Sequence, residues 1–276
     1  MKRVAAALWL WYRGDRFRGW QAQVQGPTVQ TSLEQGFLRM GTPARPVASG
    51  RTDRGVHARM QVVSVRLPGD TDLDALPARL APHLPEGMGL VAARRAPRHF
   101  HAQWTAVEKE YRYRLCPGPV PAPWQGAAWS LPEDPALVGR AMTPGVLEEV
   151  LARYVGTRDF VAFHENSSPR KPRTLYSARL EVLPGGVLDV RLVGDGFARY
   201  MVRYLLGTAV AVAYGVLTWE DLRLALEEGV EPKGLRAPGH GLILWEVRYP
   251  PQTDAFPAAL RAEAPGLPEG PPFREG

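Results

Sequence analysis

Hydrophobic positions along the chain follow two kinds of period, and their order predicts the elements. Residues 4–12 form a near-continuous apolar run, the pattern of a buried strand. Residues 28–40 then place Val29, Leu33, Phe37 and Met40 on one helical face, with Thr31 and Glu34 at capping-box spacing. Strand-like runs follow at 46–50 and 61–67. A helix opened by Asp72 comes next, with Leu73, Leu76 and Leu80 facing inward, and a strand at 88–93 closes the half. The order is βαββαβ.

That order recurs in the second half. Over 108–115, Tyr111, Tyr113 and Leu115 alternate with Glu110, Arg112 and Arg114, as a half-buried strand requires. A helix is predicted over 146–154, started by Thr143 and Pro144 and stopped by Gly156. Strands at 174–183 and 187–193 flank Pro184-Gly185-Gly186, a hairpin turn in which glycine supplies positive φ. A long helix over 197–213, a shorter one from the Thr218 cap and a strand over 241–249 complete the repeat. The expected fold class is therefore α+β, with two ferredoxin-like domains, antiparallel sheets and an active-site cleft between them. The first domain is 1–106 and the second 107–249. Residues 250–276 hold seven prolines and three glycines, which predicts a mobile or draped tail without a core of its own. Residues 117–135 read as a similar loop.

Composition narrows the function. With 276 residues, 45% hydrophobic and 22% charged, the chain fits two modest globular domains. Its net charge is +6, and 30 of the 34 basic residues are arginine. Guanidinium suits phosphate and base contacts. GC-rich coding accounts for most of that arginine excess, but not for the sign of the net charge. The single cysteine, Cys116, excludes an internal disulfide framework and any cysteine-based zinc cluster, and fits a reducing, cytoplasmic setting. Met1-Lys2-Arg3 before an apolar run copies the start of a signal peptide, but Arg13, Asp15, Arg16 and Arg18 follow it in place of a small-residue cleavage site. No stretch is long enough for a membrane helix, so no membrane association is expected.

The candidate chemistry lies between two predicted strands, in Gly50-Arg51-Thr52-Asp53-Arg54-Gly55-Val56-His57-Ala58. Loops carried on rigid sheets are the usual seat of catalysis. By residue type alone Asp53 reads as a turn residue bonded to its own backbone beside a structural glycine. Ser49, Asp53 and His57 also suggest a hydrolytic set, but the segment lacks a nucleophile elbow, and three residues so close in one loop do not make a triad.

This segment resembles the signature of the tRNA pseudouridine synthase A family, G-R-T-D-A-G-V-H-A, departing from it only at Arg54. Further blocks of the resemblance occur in order: Tyr12-Arg13-Gly14, Phe17 to Gln23 including Gln21, Thr28-Val29-Gln30, Phe100-His101-Ala102 and Lys109 to Tyr113. Gly196-Phe197, Met201-Val202-Arg203, Gly207-Thr208 and Ala237 to Leu242 complete them. The chain departs where Arg13 stands for the usual Asp, Gln103 for Arg and Tyr200 for Asn.

The resemblance implies conversion of uridine to pseudouridine at positions 38, 39 and 40 of tRNA, in the anticodon stem and loop, by a homodimer needing no cofactor and no metal. It implies Asp53 as the nucleophile, Tyr111 as the aromatic platform for uracil with a phenol available as general base, and Arg203 as the ion-pair partner of Asp53. Read without the family, Tyr111 is a core tyrosine and Arg203 a solvated helix residue. Extruding a stacked uridine costs about a few kcal/mol, and Arg51 is the candidate to brace the vacated space or to shape the loop through a salt bridge. Arg54, His57 and Gln21 complete the substrate-binding set, with His57 expected mainly to hold the loop. Arg94, Arg95, Arg98 and Arg170-Lys171-Pro172-Arg173 are candidate phosphate contacts. The competing reading is an RNA-binding protein without catalysis, although the aromatic and glycine pattern of the usual RNA-recognition strand is absent.

Overall fold

In the computed structural model, which describes residues 2–143, 145–165, 171–232 and 235–274, the opening apolar run is β1 (Arg3–Tyr12), buried at every position from Val4 to Leu10. Next is α1 (Val29–Arg39), capped by Thr28: its hydroxyl accepts from the Thr31 backbone at 3.2 Å, while Thr31 Oγ1 accepts from the Thr28 backbone at 3.3 Å. The capping box is thus Thr28 with Thr31, one turn earlier than the Thr31–Glu34 spacing suggested, because a threonine hydroxyl serves both roles. β2 (Val47–Ala48) is only two residues long. β3 (His57–Pro68) starts four residues before the predicted run, its first residues including Arg59 and Gln61 among apolar neighbours. Asp72 does not open a helix directly. Its Oδ1 accepts from the backbones of Asp74 and Ala75, at 3.0 and 3.1 Å, and α2 (Leu76–Leu80) begins after that turn. β4 (Met88–Arg95) then pairs antiparallel with β1, which pairs antiparallel with β3 on its other side, Leu8 lying opposite Ala93 and Val63.

The second stretch begins with β5 (Glu108–Cys116), flanked in parallel by β6 (Trp129–Ser130). After α3 (Val146–Tyr154) come β7 (Gly156–Arg158), β8 (Arg173–Leu183) and β9 (Val187–Gly194), in the sheet order β5-β9-β8-β7. Gly145 at φ 80° precedes α3, whose expected starter Pro144 lies outside the described residues. β5 is not half-buried. Its charged face is covered too, because Glu110, Arg112 and Arg114 pair among themselves and with β9: Arg112 meets Glu110 at 2.9 Å and Asp189 at 3.3 Å, Arg191 meets Glu110 at 2.9 Å, and Arg114 meets Asp189. Buried charges persist only where such partners exist. α4 (Met201–Ala213) starts four residues later than expected, since Tyr200 sits at φ 61° and a left-handed residue cannot continue a right-handed helix. α5 (Trp219–Arg223) opens at Thr218, as the sequence predicts, with Asp221 closing the capping box.

The chain then returns to where it began. β10 (Leu242–Arg248) runs parallel to β3, with Ile243 opposite His57 and Leu244 opposite Ala58. The chain divides into two compact units, Met1–Glu108 with Ile243–Arg274, and Lys109–Leu242. The last strand therefore belongs with the first unit and not with the half in which its sequence position put it. Each unit holds a mixed sheet, β4-β1-β3-β10 in the first, where wholly antiparallel sheets were expected.

The proline-rich tail is anchored to the first unit. Phe256 meets Trp9 edge-on at 5.9 Å and Phe273 meets Trp11 at 5.4 Å, and both phenylalanines are buried. Between them α6 (Ala258–Glu263) carries Arg261, which binds both oxygens of Asp254, at 2.9 and 2.7 Å, and Glu246 at 2.8 Å.

Candidate active site

The Asp53 loop is held from below by a buried polar cluster. Gln61 on β3 accepts from Ser49 Oγ at 2.7 Å and donates to the Gly50 carbonyl at 2.8 Å and to Tyr12 Oη at 3.2 Å. Tyr12 in turn bonds Thr52 Oγ1 at 2.8 Å. Burial pushes the Tyr12 phenol up to about 12, partly offset by its bonds to Thr52 and Gln61, so it stays protonated at neutral pH. These four side chains fix the chain on the approach to Asp53, and all four are buried.

Backbone contacts fix the other side. The Val56 N–H closes a turn on the Asp53 carbonyl at 3.1 Å, with Gly55 at φ 85°, and the Thr52 carbonyl accepts from Trp20 at 2.9 Å. Gly14 lies so close that a Cβ there would stand 2.3 Å from the Val56 carbonyl carbon. Its N–H donates to His57 Nδ1 at 3.1 Å. An Nδ1 that accepts a backbone proton leaves a ring hydrogen on Nε2, and the wholly buried His57 links Gly14 to the end of the Asp53 loop. Asp53 itself is half-buried, and Arg51 and Arg54 on either side are exposed. Gln21 is exposed too, its amide donating to Gln30 Oε1 at 3.1 Å on α1. The first unit thus gathers Arg51, Asp53 and Arg54 in one loop that leads into His57 at the start of β3, with Gln21 on the neighbouring segment that Trp20 ties to it.

Tyr111 and Arg203 belong to the second unit. Tyr111, on β5 opposite Leu192, is 8% exposed, and its ring meets Phe197 edge-on at 5.1 Å. Arg203, on α4, donates through Nε to the Ala237 carbonyl at 2.7 Å, and the Ala237 N–H returns to the Arg203 carbonyl at 3.0 Å. That segment approaches α4 at Gly207, where a Cβ would collide with the Leu235 carbonyl. Arg203 is therefore a half-buried, positioned residue and not a freely solvated one. Its guanidinium lies 5.3 Å from the ring of Tyr200, which also carries Arg199 at 4.7 Å and Arg236 at 4.6 Å. Tyr200 thus combines a left-handed backbone with three guanidiniums around its ring.

Of the candidate phosphate contacts, Arg94 pairs with Asp74 at 2.8 Å, Arg95, Arg98 and Lys171 are exposed, and Arg170 lies outside the described residues. Arg173 is buried and donates to the Lys171 carbonyl at 3.1 Å, which removes it from any surface role. Sequence reasoning missed Tyr12, Ser49, Thr52 and Gln61 as a supporting set. Gln61 between Met60 and Val62 was the available signal, a polar residue inside a β-apolar run. Among the described residues no cluster of His, Cys, Asp and Glu side chains suited to a metal ion occurs, and no helix is long and apolar enough to cross a membrane.

The pattern of the family described as tRNA pseudouridine synthase matches residues 150–250. The chain is 35% identical over 260 residues to a protein of Methylacidiphilum infernorum named tRNA pseudouridine synthase A, covering 91% of this chain and 98% of the relative. It is likewise 35% identical over 243 residues to the protein of that name from Anoxybacillus flavithermus, covering 86% and 96%. Among solved structures, one of a Cbf5-Nop10-Gar1 complex aligns at 13% identity and a TM-score of 0.37 over 81% of this chain and 57% of the other, a distant likeness only.

Proposed function

The chain belongs to the tRNA pseudouridine synthase A family and is an enzyme that isomerises uridine to pseudouridine in tRNA, and we propose that it acts at positions 38, 39 and 40, in the anticodon stem and loop. The observation that carries the reading is near-full-length kinship together with an aspartate loop built as a rigid unit around Asp53. The reaction breaks the bond from uracil N1 to C1′, turns the base, and joins C1′ to C5. C5 gives up its hydrogen and N1 gains one, so atoms and electrons balance without an oxidant or a group donor. A carboxylate that attacks covalently, or takes a proton from the sugar, is the group such a step needs.

In this reading Asp53 is that carboxylate, Tyr111 offers a stacking surface to the uracil, Arg203 supplies the cation that keeps Asp53 ionised, and Arg51 braces the space left by the extruded base. What supports these assignments is the fixed setting of each residue: Asp53 in a loop pinned by Gln61 and His57, Tyr111 backed by Phe197, and Arg203 tied to Ala237. We read each unit as ferredoxin-like, in keeping with β4-β1-β3 and β2 at the edge of the first, and the active form as a cytoplasmic homodimer.

The decisive experiment is tritium release from tRNA labelled at uracil C5, since only a synthase exchanges that hydrogen; binding of the tRNA without release would mean an RNA-binding protein. The role of Tyr111 has its own test. Tyr111→Phe keeps the ring and loses the hydroxyl, and is expected to hold turnover within about ten-fold if stacking is the main contribution, whereas Tyr111→Ala is expected to lose about a hundred-fold or more. A Phe variant as poor as Ala assigns the phenol to proton transfer.

A further inference from the structure

We propose that Trp104, stacked on His101, is a second platform on which a nucleobase of the bound tRNA stacks, away from the Asp53 loop; the inference rests on the reading that tRNA is the substrate. Trp104 is 80% exposed, yet its ring lies 3.9 Å from the imidazole of His101 with the two planes 8° apart. The imidazole is itself fixed. Its Nδ1 accepts from the backbones of Gln103 and Trp104, both at 3.2 Å, and the His101 N–H donates to Thr105 Oγ1 at 3.1 Å. The loop is anchored to β3 through the Ala102 N–H on Ser64 Oγ at 3.2 Å, and to the chain after β10 through Tyr249 Oη on the Ala102 carbonyl at 2.7 Å. An indole held this firmly with its outer face in water gains little from burial. What the arrangement supplies is a preorganised flat surface, which lowers the ordering cost of a planar ligand.

The surroundings select the ligand. From Arg94 to Val107 the sequence carries three arginines and two histidines and no carboxylate. Arg66 on β3 donates to the Arg98 carbonyl, adding a further guanidinium to the segment. Over the same stretch the other exposed residues are Arg95, Arg98, His99, Gln103 and Val107, a rim of cations and polar groups with a single aliphatic side chain. An aromatic face among cations is the chemistry that takes a nucleobase flanked by phosphates. Ser64 stands seven residues beyond His57 on β3, about 23 Å at about 3.3 Å per residue. The base that stacks there is therefore a different nucleotide from the uridine at Asp53.

The test compares Trp104→Ala and Trp104→Phe with the unchanged chain in tRNA binding, in the salt dependence of that binding, in thermal unfolding and in sedimentation. Trp104→Ala is expected to weaken tRNA binding by about five- to one-hundred-fold and Trp104→Phe by less than about three-fold. The slope of log affinity against log salt stays unchanged, since no phosphate contact is removed, and the unfolding midpoint stays put because the ring is exposed. Unaltered tRNA affinity in Trp104→Ala overturns the proposal while leaving the enzymatic reading intact. A changed oligomeric state with unaltered tRNA affinity also overturns it, by assigning the ring to contact between copies. Failure of the unchanged chain to bind tRNA at all would overturn the functional reading, and this inference with it.

Discussion

Purified Asp53→Asn is expected to release less than about one ten-thousandth of the tritium that the unchanged chain releases from C5-labelled tRNA in a single turnover. Asparagine has the same shape, and the loop is held by groups the substitution leaves alone: the Asp53 carbonyl on Val56, the Thr52 carbonyl on Trp20, and the Gly50 carbonyl on Gln61. The fold of the loop should survive. Affinity for tRNA should stay within a few-fold, because phosphate contacts dominate it and a carboxylate contributes nothing to them. Loss of turnover with binding retained separates a chemical role from a binding one. A near-normal single-turnover rate would move the nucleophile away from Asp53.

How much of this was readable beforehand depended on the range over which each feature is determined. β1, β9, α1 and the Thr218 cap were legible because burial and capping are written within a few residues. The boundary of α4 was not, because the apolar pattern continues through Phe197 while the backbone at Tyr200 turns left-handed. The face of β5 was misread for a related reason. Glu110, Arg112 and Arg114 look solvated until Asp189 and Arg191, some 75 residues later, neutralise them. The return of β10 to the first unit is a pairing across the whole second unit, which no local period encodes. In the tail, proline content left a mobile and a draped chain open, and Phe256, Leu267 and Phe273 are the signal that decides for a draped one, since each is buried. The Asp53 loop was found by its resemblance to a signature. Its support by Gln61 was not, because a glutamine in a strand reveals its partners only once the strands are paired.

That support makes the second large prediction. Gln61→Leu removes three hydrogen bonds from a buried site, those to Ser49 Oγ, the Gly50 carbonyl and Tyr12 Oη. Each lost bond to a buried group costs about 1 kcal/mol or more, so a total loss of about 3 kcal/mol in denaturant unfolding is expected. Turnover should fall by about a hundred-fold, since displacing a catalytic group by about 1 Å has that effect, while tRNA affinity is nearly unchanged. Tyr12→Phe should cost less, about 1–2 kcal/mol, because Gln61 keeps Ser49 and Gly50, while Thr52 and one amide hydrogen of Gln61 lose the phenol oxygen. As the two residues touch, the double variant should lose about 1 kcal/mol less than the sum of the single losses. The phenol adds a signature in pH. Its folded-state pKa of about 12 lies above the ordinary value of 10.0, so the folded chain keeps this proton longer than the unfolded chain. The contribution is complete below pH 10 and declines as pH rises through 12, by about 3 kcal/mol in all. The stability gap between the unchanged chain and Tyr12→Phe should therefore shrink across that window and reverse at its alkaline end. A gap that stays constant from pH 9 to pH 12, with additive single losses, would show that Tyr12 and Gln61 do not act as one buried support for the Asp53 loop.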